Sequence, residues 1–237
     1  MRLNRFFGNF NLTGEIVSSS DEELINQLKN VLRMKAGNEV VLCDGKLNEA
    51  LCMIEDLSKA GVVSKIMNVY KNEKEFKSDI VFYCSILKRE NFELAIQKAV
   101  ELGVKKIVPV IASRTVKFGL KRDRLEKIIK EASEQSGRGI LPILSDSLGF
   151  GDAVADAAGN DINLFFELGG SPLDQLKPDL IRFKKIGVFI GPEGGWGKEE
   201  VDLADASNFK KISLSPFTLR GETAAIAGVA VITQQLQ

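Results

Sequence analysis

From Ile80 onward the apolar residues fall alternately into short unbroken runs and one-sided stripes of helical spacing, and few folds satisfy both patterns. Ile80 to Leu87, Ile107 to Ile111, Asn163 to Leu168 and Ile186 to Ile190 are too short for ordinary helices and too apolar for strands with a wet face. Each predicts a strand, and the nearly all-apolar Asn163 to Leu168 and Ile186 to Ile190 read as central parallel strands. Between them, Asn91 to Leu102 carries Phe92, Ala95, Ala99 and Leu102 on one stripe, with Gly103 as a left-handed stop. Leu125, Ile128, Ile129 and Ala132 mark another helix, whose remaining faces hold Arg124, Lys127, Lys130, Glu131 and Glu134. Such alternation predicts an α/β fold, a mostly parallel sheet covered by helices. The terminal helix, from about Glu222 to Leu236, is apolar on most of its circumference and is expected to lie against that sheet or a second subunit.

The first seventy or so residues read differently. Gly37-Asn38 is a turn before the strand Glu39 to Cys43, Asp44-Gly45 is a hairpin signal, and Ala50 to Ile54 and Val62 to Val69 supply further strands. Asp21 to Lys35 predicts a short helix capped by Ser20 or Asp21, with Leu24, Leu28, Val31 and Leu32 on one face. Together these elements suggest a small β-barrel. Lys71 to Ser78 has almost no apolar content, so the expected domains are 1–72 and 73–237.

Composition closes several chemistries. With no histidine among 237 residues, His-based triads and His metal sites are excluded, and Cys43, Cys52 and Cys84 are too scattered to hold zinc. Their odd number and apolar surroundings fit buried thiols in a reducing compartment. The 32 basic and 32 acidic residues cancel, so nucleic acid could be held only by a local basic surface. Met1 to Leu12 is too short and polar for a secretion signal and no apolar run approaches a membrane span, so the expected location is the cytoplasm.

The stretches with chemical potential are two bent loops near the C-terminus. Gly191-Pro192-Glu193-Gly194-Gly195-Trp196 follows one strand, and Leu214-Ser215-Pro216-Phe217-Thr218-Leu219-Arg220-Gly221-Glu222-Thr223-Ala224 follows the entry of another. Glycine and proline there expose backbone polar groups to a ligand. A Walker A loop ending at Lys198 would need glycine at Pro192 and serine or threonine at Glu199, and a dinucleotide fingerprint from Gly195 and Gly197 would need glycine at Glu200. Both are excluded. The first loop taken alone is equally a tight strand-to-helix turn. Glu222 reads as a helix-start stabiliser or a catalytic group, and Arg220 as a partner for Glu193 or Glu222 or as a holder of phosphate or base.

Read together, Gly191-Pro192-Glu193-Gly194-Gly195, Leu214, Leu219-Arg220 and Glu222-Thr223-Ala224 resemble the RsmE-type 16S rRNA (uracil-N3) methyltransferases of the SPOUT superfamily. Lys88, Gln97-Lys98, Glu101-Leu102-Gly103, Pro109, Ser113-Arg114, Glu134-Gln135-Ser136, Arg138 and Pro142 match in order, as do Arg5-Phe6-Phe7 and Val31-Leu32-Arg33. The resemblance spans nearly the whole chain. It implies an N-terminal PUA-like β-barrel, a C-terminal α/β domain with a deep trefoil knot, a homodimer, and S-adenosylmethionine as methyl donor without a metal. It places the donor at Leu168, Gly169, Gly191, Pro192, Glu193, Gly194, Gly195, Leu214, Ser215, Phe217 and Leu219. The methyl group would pass to N3 of a uridine in small-subunit rRNA after that nitrogen loses its proton, with Glu222 as possible acceptor and Arg220 as possible anion stabiliser.

RNA contact is expected from Arg2, Arg5 and Arg33 in the first domain and Arg114, Lys117, Lys121, Arg122 and Arg124 in the second, although scattered basic residues also serve as a solvated face. The chain departs from the family at Ser215, where glycine is usual, at Phe217, where arginine is common, and at Thr218, where isoleucine is common. Trp196-Gly197 replaces Phe-Ser or Phe-Thr, losing a hydroxyl that could cap the next helix. The alternatives are a non-catalytic RNA-binding or ribosome-assembly protein and a SPOUT enzyme with another RNA target.

Overall fold

The computed structural model describes residues 3–116, 119–172 and 180–237. They form two compact units, Met1–Glu75 with Ser133–Leu141, and Phe76–Ala132 with Pro142–Gln237.

In the first unit, β1 (Asn4–Phe7), β2 (Ile16–Ser19), β3 (Glu39–Cys43), β4 (Asn48–Leu57) and β5 (Val62–Lys71) form a sheet in the order β1-β3-β4-β5-β2. Only β1 and β3 pair in parallel; the other ladders are antiparallel. Side chains alternate across β3: Val40 and Leu42 join Phe6, Ala50, Cys52 and Ile54 in one core, while Val41 and Cys43 pack with Phe7.

The expected helix from Asp21 is shorter than its pattern. Asp21 caps α1 (Glu22–Asn26) by accepting from Leu24 N–H at 2.9 Å, but the chain then widens into a π turn over Gln27–Val31. Leu32 N–H bonds to Gln27 O at 2.9 Å, five residues back. That extra residue rotates Val31 and Leu32 away from Leu24 and Leu28, leaving them exposed, and Arg33 stops the helix with φ of 53°.

The stretch 133–141 adds polar anchors to this unit. Phe7 N–H donates to Glu134 Oε1 at 2.9 Å, Asn72 Nδ2–H to Gly137 O at 3.1 Å, and Arg138 forks onto Glu75 at 2.8 and 2.9 Å.

The second unit matches the α/β expectation. Its strands β6 (Asp79–Ser85), β7 (Lys106–Ile111), β8 (Ile143–Leu144), β9 (Leu148–Gly149), β10 (Ile162–Pro172), β11 (Lys185–Ile190) and β12 (Lys210–Ser213) pair in parallel. The order is β12-β10-β11-β6-β7-β8, with β9 also on β7. Helices α2 (Arg89–Glu101), α3 (Arg122–Ser136), α4 (Phe150–Asp156), α5 (Lys198–Ala206) and α6 (Gly221–Gln234) connect or follow the strands.

The strands are continuously apolar because both faces are covered. Ile80, Phe82, Cys84, Val188 and Ile190 share a core with Phe92, Ala95 and Ile96 of α2, Leu125 of α3, and Val229 and Ile232 of α6. Val81, Tyr83, Phe165 and Phe189 face a second core with Phe150 of α4 and Ala204 of α5. Gly103 ends α2 with φ of 99°; a Cβ there would approach Phe76 to 2.5 Å. β12 stops at Ser213, before the segment at Leu214 expected to enter as strand, and frees that segment as loop. Among the described residues, no helix is long and apolar enough to cross a membrane.

Candidate functional site

Adjacent parallel strands β11 and β12 each release a loop at their carboxyl end, β10 between them loops out at residues 167–170, and together these segments wall a cavity of about 380 Å³. Carboxyl edges of open α/β sheets are the usual place for a ligand, and this volume lies within the range of small-molecule pockets.

The first wall comes from an interruption of the β10–β12 ladder. Phe166 and Ser171 both pair with Ile212, so residues 167–170 are looped out. Gly170 permits that loop, since a Cβ there would lie 2.5 Å from the Ile212 backbone. Glu167, Leu168 and Gly169 consequently border the cavity.

The second wall follows β11. Gly195 N–H donates to Pro192 O at 2.8 Å, closing a turn in which Gly195 has φ of 68°. Trp196 is buried below, stacked on Phe165 at 4.7 Å, with its indole N–H donating to Phe166 O at 3.0 Å. The phenylalanine usual at this position could not donate that bond, which links the second wall to the strand bearing the first.

Glu200 fixes the same loop from the far side. Its Oε2 accepts from Gly197 N–H at 2.7 Å and Ser113 Oγ–H at 3.1 Å, while Oε1 accepts from Ser113 N–H at 2.8 Å. A Cβ on residue 197 would sit 2.6 Å from Ser113 Oγ, so the Ser113 hydroxyl occupies the space beside Gly197. The helix start therefore retains the carboxylate half of a capping box without a hydroxyl on residue 197.

The third wall is the loop after β12, where Phe217 N–H donates to Ser215 Oγ at 3.1 Å and Ser213 Oγ–H donates to Ser215 O at 3.2 Å. Leu214, Ser215, Phe217, Thr218 and Leu219 line the cavity, and Gly221 begins α6 against Leu87. Every residue nominated from sequence for the donor borders this one cavity: Leu168, Gly169, Gly191 to Gly195, Leu214, Ser215, Phe217 and Leu219.

The two nominated reactive residues stand differently. Neither Arg220 nor Glu222 contributes to the lining. Arg220 is exposed at the N-cap of α6 and has no ion-pair partner among the described residues, so the suggested pairs with Glu193 or Glu222 do not form. Glu222 occupies the first turn, and its Oε2 is buried without a hydrogen-bond partner. Glu193 Oε1 instead accepts from Lys88 N–H at 3.0 Å, at the start of α2. Burial, reinforced by the Glu193 charge, pushes the Cys84 thiol above its ordinary range.

The nominated RNA-contact residues have varied surroundings. Arg114 borders the cavity, donating Nη1–H to Gly194 O at 2.8 Å, and has no acidic partner among the described residues. Arg122 is held by Glu126, Asp146 and Leu144 O, and Arg124 forks onto Glu93. In the first unit Arg33 is exposed, whereas the Arg5 side chain is 14% exposed and paired with Glu49. Arg2 and Lys117 lie outside the described residues. Sequence reasoning passed over Glu167 as a wall residue and Glu200 as a support. Glu167 is visible only as a charge interrupting an apolar run, and Glu200 only as the third residue after a helix-start glycine.

Comparison with known proteins agrees with this geometry. Residues 74–233 match a family model described as an RNA methyltransferase domain, and residues 21–67 match an RNA methyltransferase PUA domain. Ribosomal RNA small subunit methyltransferase E of Rickettsia conorii is 30% identical over 98% of this chain and 96% of its own. The Bacillus subtilis protein of that name is 28% identical over 96% of this chain and 91% of its own. The Neisseria gonorrhoeae enzyme of that name, solved bound to S-adenosyl methionine, superposes with a TM-score of 0.89 at 28% identity over 98% of both chains. A Legionella pneumophila protein solved in complex with the same molecule gives a TM-score of 0.90 at 30% identity, covering 99% of this chain and 98% of that one. A PUA-like N-terminal part followed by an α/β methyltransferase part thus accounts for nearly the full length, and the chain belongs to the RsmE-type family of ribosomal RNA small subunit methyltransferases.

Proposed function

We propose that the protein methylates N3 of a specific uridine in 16S rRNA of the small ribosomal subunit, using S-adenosylmethionine. The observation carrying this reading is the convergence of three loops from adjacent strands on one cavity in a chain of this family. The cavity's donor set suits the methyl donor: Glu167 and Glu193 offer negative charge to a sulfonium and an ammonium, and the loops offer backbone polar groups to a carboxylate and a base. When bound, S-adenosylmethionine supplies an electrophilic methyl carbon on a positively charged sulfur.

The protein's part is to hold, orient and deprotonate. Leu168, Gly169, Gly191, Pro192, Gly194, Gly195, Leu214, Ser215 and Leu219 hold the donor with Glu193, and orientation of this kind contributes on the order of 7 to 11 kcal/mol in well-aligned reactions. Uridine N3 must lose its proton before its lone pair is available. Glu222 Oε2, buried and unpartnered in the first turn of α6, is the assigned acceptor, and exposed Arg220 is assigned to the resulting uridine anion.

The first domain, 1–72, is assigned as an RNA-binding PUA-like barrel and 73–237 as the knotted methyltransferase domain, with the trefoil knot gathering the cavity loops. Arg2, Arg5, Arg33, Arg114, Lys117, Arg122 and Arg124 are assigned to RNA. Arg33 and Arg114, exposed without acidic partners among the described residues, carry more of that role than Arg5, Arg122 and Arg124. A cytoplasmic homodimer completes the reading.

Calorimetric titration with S-adenosylmethionine and nucleoside mass spectrometry of rRNA from cells with and without the gene test it together. Saturable donor binding and loss of N3-methyluridine on deletion are expected. Loss of a ribose-methylated nucleoside instead would assign another target, and absence of donor binding would leave a non-catalytic RNA-binding protein.

A further inference from the structure

Phe217 is 73% exposed, the most exposed large hydrophobic side chain among the described residues, yet it borders the cavity. Its placement is built by the local chain. Pro216 prevents regular strand continuation, and the bond from Phe217 N–H to Ser215 Oγ turns the backbone directly before the ring. Leu168, 61% exposed, borders the same cavity from the β10 loop. Arg114 borders it too, and its guanidinium has no acidic partner among the described residues. The mouth therefore combines an aromatic face, an aliphatic side chain and an uncompensated cation.

We infer that Phe217 is the platform on which the target base of the RNA stacks, with Arg114 holding an adjacent phosphate. This rests on the rRNA methyltransferase reading and identifies a positioning residue within it. A base inside an RNA helix cannot present N3, because pairing engages that edge, so the nucleotide must leave its stack and needs another flat surface. An aromatic ring supplies that surface for any base, and a nearby guanidinium satisfies the phosphate accompanying it. The surroundings favour this occupant over a second protein copy: Thr218 and Arg220, both exposed and polar, follow the ring within three residues. They also favour it over the donor's adenine, which would be enclosed by the cavity, whereas the ring is mostly open to solvent.

The test compares wild type with Phe217→Ala and Phe217→Trp, using a single-stranded small-subunit rRNA fragment that the wild type methylates and the same fragment with an abasic nucleotide at the modified position. Fluorescence anisotropy should show RNA binding weakened about 5- to 150-fold by Phe217→Ala, the effect expected from losing one stacked base. Phe217→Trp should retain affinity. The abasic fragment should bind wild type as weakly as the intact fragment binds Phe217→Ala, and the substitution should cause no further loss with it. Calorimetric donor affinity should remain within about twofold, and sedimentation should show an unchanged oligomeric state.

Equal RNA affinity of wild type and Phe217→Ala overturns the inference. Loss of donor affinity in the absence of RNA assigns the ring to the donor, and loss of the oligomer assigns it to a subunit contact; either also overturns the inference. If wild type itself neither binds donor nor methylates any fragment, the functional reading fails before a variant is compared.

Discussion

The Glu200 carboxylate accepts hydrogen bonds from both the backbone and hydroxyl of Ser113, at 2.8 and 3.1 Å, joining residues separated by 87 positions. A third bond, from Gly197 N–H at 2.7 Å, makes this carboxylate the tie between the loop after β7 and the loop bordering the cavity. Glu200 is 7% exposed and Gly197 half-buried, whereas Ser113 is exposed, so removal of the carboxylate chiefly strands the Gly197 N–H. Glu200→Ala is expected to lower unfolding free energy by about 1–2 kcal/mol in urea titrations. It should also weaken donor binding through disorder of the Gly191 to Gly195 loop. Lys198→Ala, which removes an exposed ion pair with Asp202, should change neither measurement.

Gly170 gives a sharper test of the cavity's construction. Gly170→Ala would place a Cβ 2.5 Å from the Ile212 carbonyl carbon and cannot be accommodated by a side-chain rotation. Separation of β10 from β12 should cost about 1–3 kcal/mol, the usual range for overpacking, and weaken donor binding measured by calorimetry. The neighbouring Gly169→Ala is the control, because its nearest contact would be Glu167 Oε1 at 3.6 Å. It should fold as stably as wild type.

These residues show what could be read from sequence. Burial on both sheet faces selects apolar residues at every position, so Ile186 to Ile190 could be recognised as a strand without its neighbours. The glycine and proline loop at residues 191–195 was similarly legible, because local backbone demands select those residue types. Residues 167–170 were not. Their departure from the ladder is set by Ile212 pairing twice, and Leu168-Gly169-Gly170 carries no period announcing it. The π turn at Gln27–Val31 was hidden for a related reason: Leu24, Leu28, Val31 and Leu32 retain helical spacing while one added residue per turn moves the last two off the buried face. Contacts of residues 133–141 with Phe7, Asn72 and Glu75 are equally nonlocal, and no sequence window contains both partners.

The buried thiols predict an alkaline limit to stability. Burial pushes Cys43 up to about 12 and Cys52 to about 11, with the nearby Arg5 guanidinium opposing the shift at Cys43. Both groups hold their protons more tightly in the folded chain than in the unfolded chain. Their contribution is therefore fully present below the unfolded-thiol pKa, near 8.5, and declines as pH rises through the folded values. Unfolding free energy under reducing conditions should carry no thiol-dependent slope from pH 6 to 8 and should fall progressively from about pH 9 to 12. Replacing both residues with alanine should reduce that alkaline slope, leaving the part contributed by buried Cys84, whatever it does to stability at neutral pH. An unchanged slope in the double variant would contradict the assignment.

Arg5 and Arg33 provide a contrast between structural and RNA-facing arginines. Arg5 is paired with Glu49, whose side chain is 1% exposed and also accepts from Asn72. Arg5→Ala leaves that carboxylate buried without its cation, so it should cost about 3–5 kcal/mol in denaturant unfolding. Arg33 lies on the surface without an ion pair among the described residues, so Arg33→Ala should leave stability unchanged. If Arg33 meets a phosphate, its removal should weaken binding to a single-stranded rRNA fragment and reduce the log–log salt slope by about 0.7. Arg5→Met, which preserves much of the side-chain volume but removes the charge, should resemble Arg5→Ala in stability and lower the salt slope less than Arg33→Ala does. An unchanged slope in Arg33→Ala would remove that residue from the RNA surface, and a slope change in a folded Arg5→Met protein as large as that expected of Arg33→Ala would overturn the smaller share given to Arg5.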